Sequence, residues 1–188
     1  MVMVSTKLKG KNVWLHVELD DEERAAMVSI QRKMRPLMDI GVICPCCRRK
    51  CKVYKQRISS TMAATLYWMH RRSKKNGGKY IRMSRVAPKW AVAAPERARL
   101  AKWGLIKAKP LGGEKGRLKN SGKWKITQKG IDFCKGKIAV EKYVWLLNNV
   151  VIERSEETTD LQSCLSNKFD YSALMRGEYD DLESIPRR

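Results

Sequence analysis

The sequence predicts an α+β fold, and residues 94–134 carry most of the argument. That stretch reads as a helix, a strand, a basic loop, a second strand and the start of another helix. Leu100-Ala101-Lys102-Trp103-Gly104-Leu105-Ile106 ends a helix at Gly104, where a left-handed stop costs a residue without Cβ little. A loop rich in Gly, Lys and Arg follows, and Trp124-Lys125-Ile126 returns as a strand. Thr127 then stands where a helix N-cap belongs. The second observation is composition. With 43% hydrophobic residues, six Trp and six Tyr, the 188-residue chain has material for a core. The third is charge. The net charge is +21, but residues 41–152 hold 28 Lys and Arg against 4 Asp and Glu, while 153–188 hold 5 against 9. A segment with that much self-repulsion is expected to meet a polyanion, and nucleic acid is the commonest. A solvated basic surface or loose association with anionic membranes is the plainer alternative.

In chain order, Val13, Leu15 and Val17 alternate as a short strand running into Asp20-Asp21-Glu22-Glu23, acids that suit a helix start. Met27, Ile30 and Met34 recur at helical spacing up to Pro36. Ile40 to Ile43 leads into Cys44-Pro45-Cys46-Cys47-Arg48-Arg49-Lys50-Cys51. After Lys52-Val53-Tyr54, Ser59 or Ser60 caps a helix through about Arg72, with Met62, Leu66 and Met69 as its apolar face. Asn76-Gly77-Gly78 stops it. Tyr80-Ile81-Arg82-Met83 reads as a strand, Val86 to Ala94 as a helix interrupted by Pro88, and Pro95 suits the first turn of the next helix. Beyond the basic loop, residues 142–152 form two strands joined at Asn148-Asn149, a favourable tight-turn pair. Thr159-Asp160 caps a short helix containing Leu161 and Leu165, and Asp170-Tyr171 opens another through Met175. Glu178 to Arg188 reads as polar and frayed. These elements divide the chain into 1–40, a strand and helix; 41–58, a cysteine knuckle; 59–138, the central domain; and 139–188, a hairpin, short helices and an acidic tail.

Leu100-x-x-x-Gly104-Leu105-Ile106, the basic glycine-bearing loop and Ile126-Thr127-x-x-Gly130 together resemble the helix-and-wing signature of MarR-type winged-helix regulators. The resemblance covers roughly residues 59–136. It implies a winged helix-turn-helix core with DNA contacts on Arg97, Arg99, Lys102, Arg117 and Lys119. The chain departs from that family in its strand-like tail, where MarR-type proteins have long dimerising helices. Read from the residues themselves, Arg99 and Lys102 project together at three-residue spacing with Arg97 on the flank. Lys115, Arg117, Lys119 and Lys123 stand among the glycines of the wing. Such a loop follows a phosphate backbone or drops an arginine into a minor groove. An ordinary solvated helix face is the plainer account of Arg99 and Lys102, and Trp103 is expected in packing rather than base stacking. A second likeness rests on Cys44-Pro45-x-Cys47, Val53-Tyr54-Lys55, Lys129-Gly130-Ile131-Asp132-Phe133 and Lys168-Phe169-Asp170-Tyr171. These residues are similar to small proteins of tailed bacteriophages; the likeness implies an origin and supplies no activity.

Zinc takes four ligands in tetrahedral directions, and two thiolates of a C-x-x-C turn supply two of them. Cys44 and Cys47 form that pair, Cys51 is the third candidate, and the fourth is open among His70, Cys134, Cys164 and His16. Half of a double C-x-x-C motif is compatible with bound zinc and with a degenerate, packed knuckle. Redox chemistry lacks a thioredoxin-like context, and an iron–sulfur cluster lacks its signature. No enzyme is expected. The two histidines belong to no recognisable triad, no G-x-x-x-x-G-K-[ST] loop is present, and carboxylates are too sparse in the basic region for a two-metal site. No apolar run approaches the roughly 18 residues of a membrane span, and residues 1–11 do not read as a signal peptide. Six cysteines without a secretory signal suit a reducing cytoplasm, that of a bacterial host if the chain is phage-encoded. The expected function is a non-enzymatic protein that binds duplex DNA as a phage or bacterial transcriptional regulator. Two alternatives stay open: an adaptor docking on a host machine such as RNA polymerase, motivated by the acidic tail and the strand pair, and an RNA-binding protein.

Overall fold

The computed structural model describes residues 2–8, 11–17, 20–45, 48–93, 95–110 and 120–180, leaving aside the side chains of 2–17, 95–97, 120–121 and 167. Helices and several small antiparallel sheets make a mixed α and β structure, which divides into two compact units, Met1–Tyr54 and Lys55–Arg188.

In the first unit, β1 (Val2–Leu8) and β2 (Lys11–Val17) pair as a hairpin from Val2↔Val17 to Leu8↔Lys11. α1 (Asp21–Met34) opens with a reciprocal cap. Glu23 N–H donates to Asp20 Oδ1 at 2.8 Å, and Asp20 N–H donates to Glu23 Oε2 at 3.1 Å. Pro36, which has no N–H for an interior helix bond, falls in the 3-10 turn Arg35–Leu37 that follows. β3 (Val42–Ile43) and β4 (Lys50–Cys51) then flank the cysteine turn.

The chain enters the second unit along β5 (Val53–Arg57) and continues into α2 (Ser60–Lys75), where Ser59 Oγ accepts from Met62 N–H at 3.3 Å. The sequence spacing predicts one apolar face for α2; instead every residue from Met62 to His70 is buried. Ala63, Ala64, Tyr67 and Trp68 occupy the remaining faces, so α2 is apolar nearly all round and becomes the centre of the unit.

β6 (Ile81–Arg82), α3 (Met83–Val86) and α4 (Lys89–Val92) come next. The two single-turn helices part at Ala87, which is extended (φ −85°, ψ 150°) because the following Pro88 disfavours helical backbone there. Residues Pro95–Trp103 form a 3-10 helix rather than the α-helix expected, and Gly104 ends it at φ +72°. β7 (Ile106–Pro110) and β8 (Asn120–Ile126) are antiparallel, and β6 adds to β8, giving the order β6-β8-β7. Thr127 joins this sheet to α5 (Gln128–Cys134). Its Oγ1 accepts from Gly130 N–H at 3.0 Å and donates to Gly104 O at 2.6 Å, while its N–H donates to Leu105 O at 3.0 Å.

The remaining elements are β9 (Val140–Glu141), β10 (Tyr143–Leu147), β11 (Val150–Arg154), β12 (Thr158–Thr159), α6 (Leu161–Leu165), a 3-10 turn (Ser166–Lys168) and α7 (Tyr171–Arg176). Asn148 (φ +49°) and Asn149 (φ +65°) supply the two left-handed residues of a two-residue hairpin between β10 and β11. β10 is central in the sheet β11-β10-β5, and β9 pairs with β12. Asp160 and Asp170 cap α6 and α7, each accepting a backbone N–H at 2.7 Å.

One core takes Val144, Leu146, Leu161, Leu165, Phe169 and Leu174 from this segment together with Met62, Leu66, Trp103 and Phe133 from residues 59–138. Tyr179 corrects the expectation of a frayed end beginning at Glu178. It is 7% exposed, its carbonyl accepts from Trp90 Nε1–H at 2.8 Å, and its hydroxyl accepts from Asp170 N–H at 3.1 Å. Asp180 pairs with Arg71 at 3.1 Å. Residues 181–188 of the acidic tail lie outside the described residues.

The close approach of Gly130 to the Leu105 carbonyl gives a direct test. A Cβ on Gly130 would sit 2.2 Å from Leu105 O and 2.8 Å from Ile126 Cγ1. Gly130→Ala is therefore expected to destabilise by about 1–3 kcal/mol through overpacking. In thermal unfolding this reads as a fall in Tm of roughly 2–12 °C.

Candidate nucleic-acid interface

The sheet β6-β8-β7 separates apolar from cationic residues by strict alternation. Ile106 pairs with Ile126, and Ile81 with Trp124; the three isoleucines are buried and Trp124 packs against them. Side chains alternate along a strand and directly paired residues share a face, so the neighbouring pairs emerge on the other side. Those pairs are Lys107↔Lys125 and Arg82↔Lys123. Four cations thus stand on one face, each directly opposite another. Like charges in direct opposition destabilise a strand pair. Among the described residues no carboxylate pairs with Arg82, Lys107 or Lys125.

Of the residues singled out from sequence, Lys123 belongs to this face. Lys115, Arg117 and Lys119 lie in the β7–β8 connection, outside the described residues, as does the side chain of Arg97. Arg82, Lys107 and Lys125 escaped the sequence reading. Their signal was present in Ile106-Lys107-Ala108-Lys109 and Lys123-Trp124-Lys125-Ile126, but strand pairing was needed to place them together.

Arg99 and Lys102 have another use. Arg99 Nη1–H donates to Gln56 Oε1 at 2.8 Å, and Lys102 Nζ–H donates to Asn149 O at the β10–β11 turn. Arg154 Nη2–H reaches Lys102 O at 2.8 Å, and Trp103 Nε1–H reaches Glu141 O at 2.7 Å. Arg99 and Lys102 are therefore tied to the sheet β11-β10-β5 and its turn. They do not join the cations of β6-β8-β7.

In the first unit, the cysteine turn is a tight hairpin. Val42 pairs with Cys51, Cys44 N–H donates to Arg49 O at 2.9 Å, and Arg48 N–H donates to Cys44 O at 2.8 Å. Arg48 takes the left-handed φ of +56° that closes the turn. Val42 and Cys44 alternate onto one face and Cys51 stands opposite Val42, so Cys44 and Cys51 share that face. Cys46 and Cys47 lie outside the described residues, among which no three or more His, Cys, Asp or Glu are grouped so that they could hold a metal ion.

The sequence left four candidates for a fourth metal ligand. His70 is 4% exposed in the core of the second unit, where Nδ1 has no hydrogen-bond partner among the described residues. Burial, and then Lys74 and Lys135, hold its imidazole below the usual range. Cys134 and Cys164 are buried in the same core. Burial pushes the Cys134 thiol up to about 12 and raises that of Cys164 as well, so both are protonated at neutral pH. His16 pairs with Met3 in the β1–β2 hairpin, and its side chain lies outside the described residues.

Among the described residues no helix is long and apolar enough to cross a membrane. No family model, curated protein or solved structure matches the chain.

Proposed function

We propose that the protein is a non-enzymatic duplex-DNA-binding protein whose contact surface is the cationic face of β6-β8-β7, extended by the basic loop between β7 and β8. The observation that carries this reading is the direct opposition of Lys107 to Lys125 and of Arg82 to Lys123. A fold that gains nothing from facing lysines keeps them when a polyanion neutralises them. Duplex DNA, with one charge per about 1.7 Å of helix axis, offers a matching density of phosphates.

The element order supports a winged helix as the core. α2, β6, the α3–α4 pair, the 3-10 helix, β7 and β8 follow one another as helices and strands of that fold do, and residues 111–119, which the sequence reads as the wing, come between β7 and β8 in the chain. In this reading the wing and its sheet hold the phosphate backbone. Arg99 and Lys102 stay with Gln56 and Asn149, so affinity comes from phosphate contacts more than from base readout. The resemblance to MarR-type regulators makes control of transcription the role proposed for that binding.

In the first unit, Cys44, Cys47 and Cys51 are proposed to hold a zinc ion. The shared face of Cys44 and Cys51 and the thiol donor set fit that metal, which would tie the turn together.

Two expected outcomes test these readings. Lys107→Ala with Lys125→Ala removes about two phosphate contacts, so the slope of log affinity against log salt is expected to shrink by about 1.8. The same variant is expected to unfold at the same or a higher temperature, since it relieves a like-charge pair. Titrations of labelled duplex from 50 to 200 mM salt, paired with thermal unfolding, measure both; unchanged affinity contradicts the proposal. For the metal, mass spectrometry of native protein purified without added zinc is expected to find one zinc per chain, lost in Cys44→Ser. A chain free of zinc overturns that assignment.

A further inference from the structure

The outer face of the other three-stranded sheet, β11-β10-β5, combines aromatic rings with ammonium groups. In β10, Val144 and Leu146 are buried in the core, so Tyr143, Trp145 and Leu147 face the other way and are half-buried. The Tyr143 and Trp145 rings lie 6.4 Å apart with their planes inclined at 54°. Lys55 places Nζ 3.9 Å from the Tyr143 centroid and 5.2 Å from that of Trp145, and Lys142 places Nζ 5.5 Å from Tyr143. Val150, paired with Leu147 and 62% exposed, continues the apolar strip. Beside it is a cavity of about 180 Å³ whose lining includes Arg57, Lys142 and the hydroxyls of Ser59, Ser60, Thr159 and Ser163.

We propose that this face is a stacking platform for single-stranded DNA: bases on Tyr143 and Trp145, phosphates on Lys55, Lys142 and Arg57. Two physical arguments carry it. Rings 6.4 Å apart stand farther than the 3.4 Å that separates stacked bases, so neighbouring bases seated on both rings must be unstacked from each other. A single strand allows that and a duplex does not. Second, an ammonium over a half-buried ring at the surface is a weak cap. A nucleotide replaces it with advantage at both ends, because its base takes the ring face and its phosphate takes the ammonium. The charge of the surrounding chain, 29 Lys and Arg against 13 Asp and Glu over residues 55–188, draws the same polyanion. Two carboxylates oppose it: Glu153, directly across from Trp145, and Glu157, 3.4 Å from Lys142 Nζ. Glu153→Gln is therefore expected to tighten binding.

The stacking argument is independent of the duplex site proposed above; only the choice of DNA over RNA rests on that reading. The test uses the full chain and a labelled oligo(dT) of fifteen nucleotides, followed by fluorescence anisotropy. Wild type is expected to bind it, and Trp145→Leu, which keeps apolar bulk and removes the π face, is expected to bind about tenfold more weakly. Its affinity for duplex DNA is expected to stay unchanged, so a failed platform and a failed duplex site give different results. Ultraviolet cross-linking of the wild-type complex guards against a variant that does not fold, with adducts expected on Tyr143 or Trp145. The proposal is overturned if wild type ignores oligo(dT), if folded Trp145→Leu binds it equally well, or if the adducts map only elsewhere. Tighter binding of oligo(rU) than of oligo(dU) overturns the assignment to DNA.

Discussion

The register of β7 against β8 is the constraint on which the second unit depends, and the Thr127–Gly130 junction fixes it. Thr127 binds Leu105 through its backbone and Gly104 through its hydroxyl, which places Ile106 opposite Ile126. Gly130, lacking a Cβ, lets α5 settle against the Leu105 carbonyl. A slip of β7 by one residue would turn Lys107 into the core and Ile106 into water, because side chains alternate with a period of two. A backbone junction thus decides which face of the sheet is cationic. Position and charge are set by the same few hydrogen bonds.

In the proposed reading, that arrangement trades stability for DNA binding. Facing lysines weaken the strand pair, while the inner face recovers stability through Ile81, Ile106, Ile126 and Trp124. The C-terminal segment contributes to the same core instead of hanging from it. Trp90 and Asp170 hold Tyr179, Trp103 holds Glu141 O, and Arg154 holds Lys102 O. The 3-10 helix is therefore braced by the β10–β11 hairpin. Bracing withdraws Arg99 and Lys102 from the cationic face and leaves the sheet and its loop as the proposed contact.

What the sequence made legible was local. Asp20 with Glu23, Ser59, Thr127, Asp160, Asp170 and the Asn148-Asn149 turn each depend on neighbours within about four positions, so residue type and spacing reveal them. What stayed hidden was long-range. The partners of Arg99 and Lys102 lie 43 and 47 positions away, and Tyr179 meets Trp90 across 89. The burial of α2 on every side was written in Ala63, Ala64, Tyr67 and Trp68, but an i, i+4, i+7 reading selects only one stripe. For the candidate site, Lys123 was read from its place among glycines, while Arg82, Lys107 and Lys125 required the pairing of three strands.

The outer face of β6-β8-β7 is the surface proposed to meet duplex DNA. Lysine acetylation, read by mass spectrometry with and without saturating duplex, tests it residue by residue on the native chain. Lys107, Lys123 and Lys125 are expected to become protected when duplex is bound, while Lys102 reacts alike in both states. Protection confined to other lysines, with these three equally reactive in the presence of bound duplex, would contradict it.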